Sequence, residues 1–279
     1  MKVGVGLPNT TPGTTGDVLV EWARRADEGP FSTVAVLDRL VYDSLDALSS
    51  LAAAAAVTER VQLATMIVIA PLRNTALLAK QAGSIDVLSG GRLTLGVAVG
   101  ARLDDYEVAQ VDHRGRGRRL SEQLGFLRNG WASTGIGPAL STDGGPRLLV
   151  GGLSGPSYAR MARYSDGYAH NGGPPRAFAG AAAKARAAWT DFGRPGEPVL
   201  WGQAYFALGE ESAGTDYLRD YYAFTGPFAE RIAAANLTTP RAIRDLIRGY
   251  EDEGCDELIL LPTVSDLEQL DRLAEVVAG

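Results

Sequence analysis

Apolar residues fall along this chain in two alternating patterns. Short runs dense in valine, isoleucine and leucine read as strands buried on both faces. Between them, apolar residues recur every three or four positions, as on the buried stripe of a helix. Residues 58–100, TERVQLATMIVIAPLRNTALLAKQAGSIDVLSGGRLTLGVAVG, show both. The almost continuously apolar run 61–69 predicts a strand, and 73–88 predicts a helix with Leu77, Leu78, Ile85 and Leu88 on its stripe. Ser89-Gly90-Gly91 ends that helix, because glycine takes the left-handed cap conformation without a steric penalty. A second buried strand follows at 93–99, where Gly96 and Gly100 leave space against the backbone. Two parallel strands joined by a helix make a βαβ unit.

The alternation runs the length of the chain. Strands are predicted at 3–7, 33–37, 61–69, 93–99, 147–150, 167–170, 199–208 and 257–261. Helices are predicted at 17–28, 44–57, 73–88, 118–131, 158–164 and 175–192. After strand seven comes a helical region with an aromatic segment at 217–228, then a helix opened by Thr239 and Pro240. Ser265 and Glu268 have the spacing of a capping box for the last helix. Residues 104–117 read as charged and irregular. Eight strands alternating with helices predict a single-domain (β/α)8 TIM barrel, with an open doubly wound sheet as the weaker alternative. The 279 residues suit one barrel, which commonly uses about 250.

Composition narrows the chemistry. A formal charge of −6 argues against a nucleic-acid or anionic-membrane partner. No apolar run is long enough to span a bilayer. The start MKVGVGLPN enters a strand with no signal-peptide pattern, and Cys255 is the single cysteine, so a cytoplasmic location is expected. With only His113 and His170 beside that cysteine, a His/Cys metal cluster cannot be assembled, and no metal is expected. Lys2, Lys80 and Lys184 are the only lysines, and none ends a predicted strand, where a Schiff-base lysine would sit. Walker A, G-x-S-x-G and complete G-x-G-x-x-G motifs are absent. A cofactor that carries the hard chemistry itself accounts for so sparse an inventory.

In a barrel the active site lies at the C-terminal ends of the strands. That selects Pro8 and Asn9, Asp38, residues 66–71, Gly100 and Ala101, the loop Gly151-Gly152-Leu153-Ser154, and Asn171-Gly172-Gly173. Glycines there let backbone N–H groups face a ligand closely, and N–H groups ahead of a helix favour an anion. The loop at Gly151 is the first anion candidate, with Ser154 either donating its hydroxyl to the anion or capping the next helix. Gly172 and Gly173 form a second glycine pair that a turn explains equally well. Asp38 is a candidate acid, base or hydrogen-bond partner, or one half of a rim salt bridge with Arg39 or Arg73. Arg114, Arg116, Arg118 and Arg119 are dense enough for an anion site. His113 and His170 carry no assigned chemistry.

The segments LAKQ and DVLSGGRLTLGVAVG, with TERVQLAT ahead of them, resemble the luciferase-like flavin-dependent oxidoreductases, the superfamily of bacterial-luciferase-like monooxygenases and F420-dependent oxidoreductases. A looser resemblance extends over most of the chain. It implies a barrel holding FMN or the deazaflavin F420 in its mouth, ring between the third and fourth strands, acting on a small organic substrate. With reduced FMN such a protein activates oxygen; with F420 it passes hydride. The resemblance also implies a bulge in the third strand at Met66 and Ile67, often with a non-proline cis peptide, that supports the ring. The phosphate would lie on the loop of Gly151, Gly152, Leu153 and Ser154, with Gly100, Gly172 and Gly173 also at the cofactor. Asp38 falls where members often have an acidic or histidine residue near the reacting ring; many have histidine next, and here that residue is Arg39. An arginine run is common at this helix start in members, so the resemblance implies a structural or solvated role for Arg114, Arg116, Arg118 and Arg119. Members commonly dimerise, and the small side chains of 44–57 permit close helix approach, so a homodimer through the helices after strands two and three is expected. The rival reading is a barrel that binds flavin, or nothing, without turnover.

Overall fold

Each strand pairs in parallel with its neighbour in sequence, and the last pairs with the first. The strands are β1 (Lys2–Gly6), β2 (Thr33–Val36), β3 (Gln62–Ile69), β4 (Leu93–Ala98), β5 (Arg147–Gly151), β6 (Gly167–Ala169), β7 (Val199–Phe206) and β8 (Glu257–Pro262). They close into one barrel in the order β1 to β8. The computed structural model describes residues 1–131, 134–141, 144–209 and 211–279. The helices among them are α1 (Gly16–Glu28), α2 (Ala47–Ala55), α3 (Thr75–Leu88), α4 (Leu103–Val108), α5 (Arg116–Gly125), α6 (Gly155–Tyr164), α7 (Pro175–Asp191), α8 (Glu211–Tyr221), α9 (Phe228–Ala233), α10 (Pro240–Asp252) and α11 (Leu267–Ala278). The architecture is the (β/α)8 barrel that the alternation predicts. No helix of the described residues is long and apolar enough to cross a membrane.

Two apolar layers hold it together. Between barrel and helices, Val34, Leu63, Val97, Val150 and Leu260 meet Trp22, Leu51, Leu78, Met161 and Phe178. Inside the barrel lie Ala35, Ala64, Met66, Leu149, Ala169, Trp201, Tyr205 and Ile259. Alternate residues of each strand face opposite sides, which is why every strand reads as a continuous apolar run. The interior is lopsided: β2, β3 and β6 offer alanines, whereas β7 and β8 fill it with Trp201, Tyr205 and Ile259.

Several boundaries differ from the sequence reading. The helix expected over 44–57 begins at Ala47, because the Asp46 carboxylate accepts from the Ser49 amide at 2.8 Å and caps it there. The irregular stretch 104–117 contains α4, whose Asp105 and Tyr106 are buried. The helix expected over 118–131 starts at Arg116 and widens into a π-turn over Phe126–Gly130. The last helix is capped by Asp266, which accepts from the Glu268 amide at 3.0 Å, and not by the Ser265–Glu268 box.

Candidate active site

The third strand carries the irregularity that shapes the mouth. The Met66–Ile67 peptide is cis, and the β3–β4 register shifts between Thr65 and Val68. This is where the bulge was expected. A Cβ at Gly96 would lie 2.2 Å from the Thr65 carbonyl oxygen, so only glycine fits opposite the bulge. Ile67 then faces β4 and β5: a Cβ at Gly151 would lie 3.7 Å from Ile67 Cγ2, 3.4 Å from Ala98 Cβ and 3.3 Å from the Ala169 carbonyl oxygen. Gly96, Ala98, Gly151 and Ala169 thus form a trough of small residues across three adjacent strands beside Ile67. Met66 is buried in the inner layer next to it.

Asp38, at the end of β2, braces this bulge. Its side chain is only 5% exposed. One oxygen accepts from the Ile69 amide at 2.9 Å and the other from Arg73 Nη2 at 2.8 Å. The same Arg73 nitrogen reaches Asp46 at 2.9 Å. Burial pushes the Asp38 carboxyl above the usual carboxylate range, and the Arg73 charge and Ile69 amide pull it down without cancelling that effect. Of the alternatives open for Asp38, the rim ion pair with Arg73 is the one the structure forms.

The two glycine loops sit side by side at the ends of β5 and β6. Gly152 has φ +123°, and Gly172 and Gly173 have φ +94° and +114°, values that favour glycine. Ser154 is the N-cap of α6 in a reciprocal box: Ser157 N donates to Ser154 Oγ at 3.3 Å, and Ser154 N to Ser157 Oγ at 2.9 Å. Two amides of the loop are therefore satisfied within the turn, and Leu153 is exposed. Behind the loops, Tyr168 Oη donates to the Gly152 carbonyl at 3.0 Å and Tyr250 Oη to the Gly173 carbonyl at 2.9 Å. Gly100, at the end of β4, has φ +67° and packs against Ile69.

The arginine run has structural partners. Arg116 donates to the His113 carbonyl at 2.7 Å, Arg119 to the Arg73 carbonyl at 3.1 Å, and Arg118 is exposed beside Glu122. No group of three His, Cys, Asp or Glu residues among the described residues could hold a metal ion.

The sequence reading gave the mouth too few aromatics. Helix α8 lies over the barrel end, and Tyr217, Leu218 and Tyr221 join the inner layer. Tyr217 Oη pairs with Thr10 Oγ1 at 2.8 Å, Tyr205 Oη with Tyr222 Oη at 2.6 Å, and Tyr42 Oη donates to Asp220 at 2.7 Å. Burial raises the pKa values of Tyr205, Tyr217, Tyr221 and Tyr222, so these phenols stay protonated at neutral pH. The aromatic segment 217–228 was visible in the sequence; its placement over the mouth depends on partners some 170–210 positions away.

A parallel barrel with a bulged third strand and glycine loops at its C-terminal end defines an enzyme-type barrel mouth. The family model for luciferase-like monooxygenases matches residues 1–257, and the chain belongs to that family. An uncharacterized protein of Mycobacterium tuberculosis is 36% identical over 138 residues, 44% of this chain and 47% of that protein. An F420-dependent glucose-6-phosphate dehydrogenase of Amycolatopsis mediterranei is 31% identical over 128 residues, 42% of this chain and 38% of that enzyme. Both matches span less than half the length of the relative. Among solved structures, the monooxygenase RslO1 from Streptomyces bottropensis superposes with a TM-score of 0.77 at 21% identity, covering 100% of this chain and 98% of that one. At that identity the likeness speaks for the fold.

Proposed function

We propose that this protein is an oxidoreductase that binds F420 or FMN in the barrel mouth and acts on a small organic substrate. The observation that carries the reading is the trough beside the cis peptide. A flat tricyclic ring needs a shallow wall without side chains, and Gly96, Ala98, Gly151 and Ala169 supply one next to Ile67. Met66, Ile67 and Gly100 would lie along the ring. The loop of Gly151, Gly152, Leu153 and Ser154, with Gly172 and Gly173, would lie at the phosphate. In that arrangement Ser154 acts by fixing the start of α6, whose N-terminal end favours an anion.

When bound, such a cofactor supplies hydride transfer or oxygen activation. The protein's own part is positional. Asp38 and Arg73 hold the β3 bulge, and α8 covers the mouth and limits water entry. F420 and FMN are both to be tested, since relatives of both kinds, an F420-dependent dehydrogenase and a flavin-dependent monooxygenase, match parts of this chain. Titration of the protein with F420 and with FMN, followed by absorbance and fluorescence, should show saturable binding of one at micromolar concentration or below. Absence of any spectral change with both overturns the reading in favour of a barrel without a flavin.

A further inference from the structure

Arg39 leaves β2 directly after Asp38 and turns into the aromatic cluster. Its guanidinium carbon lies 4.0 Å from the centre of the Tyr42 ring and 4.8 Å from that of Tyr221. Nη1 donates to the Tyr221 carbonyl oxygen at 2.9 Å. Nε is buried and has no acceptor.

Three neighbouring carboxylates are engaged elsewhere. Asp38 pairs with Arg73, Asp104 with Arg102, and Asp220 accepts from Tyr42. Asp105 Oδ1 accepts from the Leu40 and Val41 amides; its Oδ2 has no hydrogen bond and lies 3.8 Å from Arg102 Nε. Arg39 therefore forms no ion pair with a carboxylate among the described residues, and at its guanidinium the like charge of Arg102 opposes the pull of Asp105. Aromatic faces offset part of the cost of desolvating a cation. They do not satisfy its in-plane N–H groups, and a half-buried charge without an ion-pair partner is unfavourable. With Nη1 occupied, the edge left is Nε with Nη2, which meets a carboxylate through two parallel hydrogen bonds.

We infer that Arg39 recognises a carboxylate on the substrate, and that the substrate is a small carboxylic acid whose flat apolar body lies against Tyr42, Tyr221 and Tyr222. This deepens the proposed function and rests on the barrel mouth being where the substrate binds. Asp38, one residue earlier, is held on both oxygens and does not compete for the guanidinium. The planar fork is the selective element: a lysine at position 39 keeps the charge but not the paired geometry.

The test uses the full chain with no cofactor added and two probes of one shape, benzoate and its uncharged counterpart benzamide. Binding is measured by calorimetry and by the Arg39 Nε–H signal in NMR, assigned by its loss in Arg39→Lys. Benzoate should bind, move that signal, and lose at least tenfold in affinity in both Arg39→Lys and Arg39→Gln. Benzamide should bind the parent at least tenfold more weakly. Benzoate binding that equals benzamide binding, or leaves the Arg39 signal unmoved, overturns the inference. So does benzoate binding that survives in a folded variant. The NMR readout on the parent decides the matter even where a variant fails to fold. Benzoate bound through Arg39 with neither F420 nor FMN binding removes the cofactor reading and leaves this one standing; cofactor binding without benzoate recognition does the reverse.

Discussion

Asp38 and Arg73 meet at 2.8 Å at the end of β2, and the pair fixes the bulged strand beside it through the Ile69 amide. Replacing Asp38 by Asn turns one accepting oxygen into a donor that faces either the Ile69 amide or Arg73. We expect a loss of about 2 kcal/mol, because a buried polar group is left unpaired. Asp46→Asn should cost less than about 1 kcal/mol, since that carboxylate is 40% exposed and Asn caps a helix as well as Asp. Urea unfolding of the two variants compares them directly. Equal losses would show that Asp38 is no more important to the bulge than Asp46.

The trough predicts a graded series at Gly151. Alanine places a Cβ 3.3 to 3.7 Å from its neighbours, close to ordinary contact, so Gly151→Ala should fold. Leucine extends several atoms further along the wall. Gly151→Leu should weaken F420 or FMN binding at least tenfold, about 1.4 kcal/mol, with the circular dichroism spectrum kept. Unchanged cofactor affinity in a folded Gly151→Leu protein would move the ring away from this wall.

Much of this architecture was legible in the chain. The strands were readable because both faces are buried, which leaves no polar alternation to confuse the pattern. The Met66–Ile67 bulge and the glycine loops followed from resemblance and from the rule that barrel sites lie at strand ends. Helix α4 was not legible: it is six residues long, and its charged segment hides Asp105, which is buried because distant Leu40 and Val41 supply its donors. The role of Arg39 was equally hidden, since its partner Tyr221 is 182 positions away. Local pattern reports burial and periodicity; it does not report which distant side chain closes over a strand end.

Gly152 lies in the loop where the phosphate is expected, and a side chain aimed outward from it would obstruct the anion. A Cβ at this position would instead lie 2.9 Å from Ser157 Cβ, on a backbone with φ +123°. Gly152→Val should therefore disturb the α6 cap, costing about 1–3 kcal/mol of stability, and should weaken cofactor binding at least about tenfold through the displaced loop. Ser154→Ala removes one cap oxygen and should cost about 1 kcal/mol, with a smaller effect on affinity. Melting curves and cofactor titrations on both variants check this. Full stability with lost binding in Gly152→Val would restore direct obstruction as the cause.

Assembly is testable on α3. Leu77 and Leu88, expected on the buried stripe, are instead 63% and 58% exposed on this helix, which buries Leu78 and Ile85 and packs beside the alanine-rich α2. We expect a homodimer that covers this face, and Leu77→Asp with Leu88→Asp should halve the mass measured by light scattering. A monomer mass for the parent at micromolar concentration counts against the dimer.

The last prediction concerns pH and rests on His170. The ring follows β6, is 2% exposed, and lies 6.1 Å from Tyr168 and 5.7 Å from Phe178, centre to centre. Burial pushes its pKa down from 6.5 to about 4. The folded state therefore holds His170 neutral, whereas the unfolded chain takes up a proton near pH 6.5. The unfolded state binds more protons below that pH, so folding stability is complete above about 6.5 and falls as the pH drops towards about 4. At about 1.4 kcal/mol per unit, the loss from this one group reaches about 2 kcal/mol at pH 5. In a chain of this size that corresponds to a melting temperature lower by about 4 °C. His170→Phe fits between the same two rings and does not titrate. Its melting temperature should fall less than the parent's between pH 7.5 and pH 5, by about that difference, while other titrating groups cancel in the comparison. Tyr168 and Tyr250 hold the Gly152 and Gly173 carbonyls from this same aromatic stack, and because the folded state keeps His170 neutral down to about pH 4, cofactor affinity in the folded parent should hold over the same interval. Parallel melting curves for parent and His170→Phe would show that the proton is taken up elsewhere.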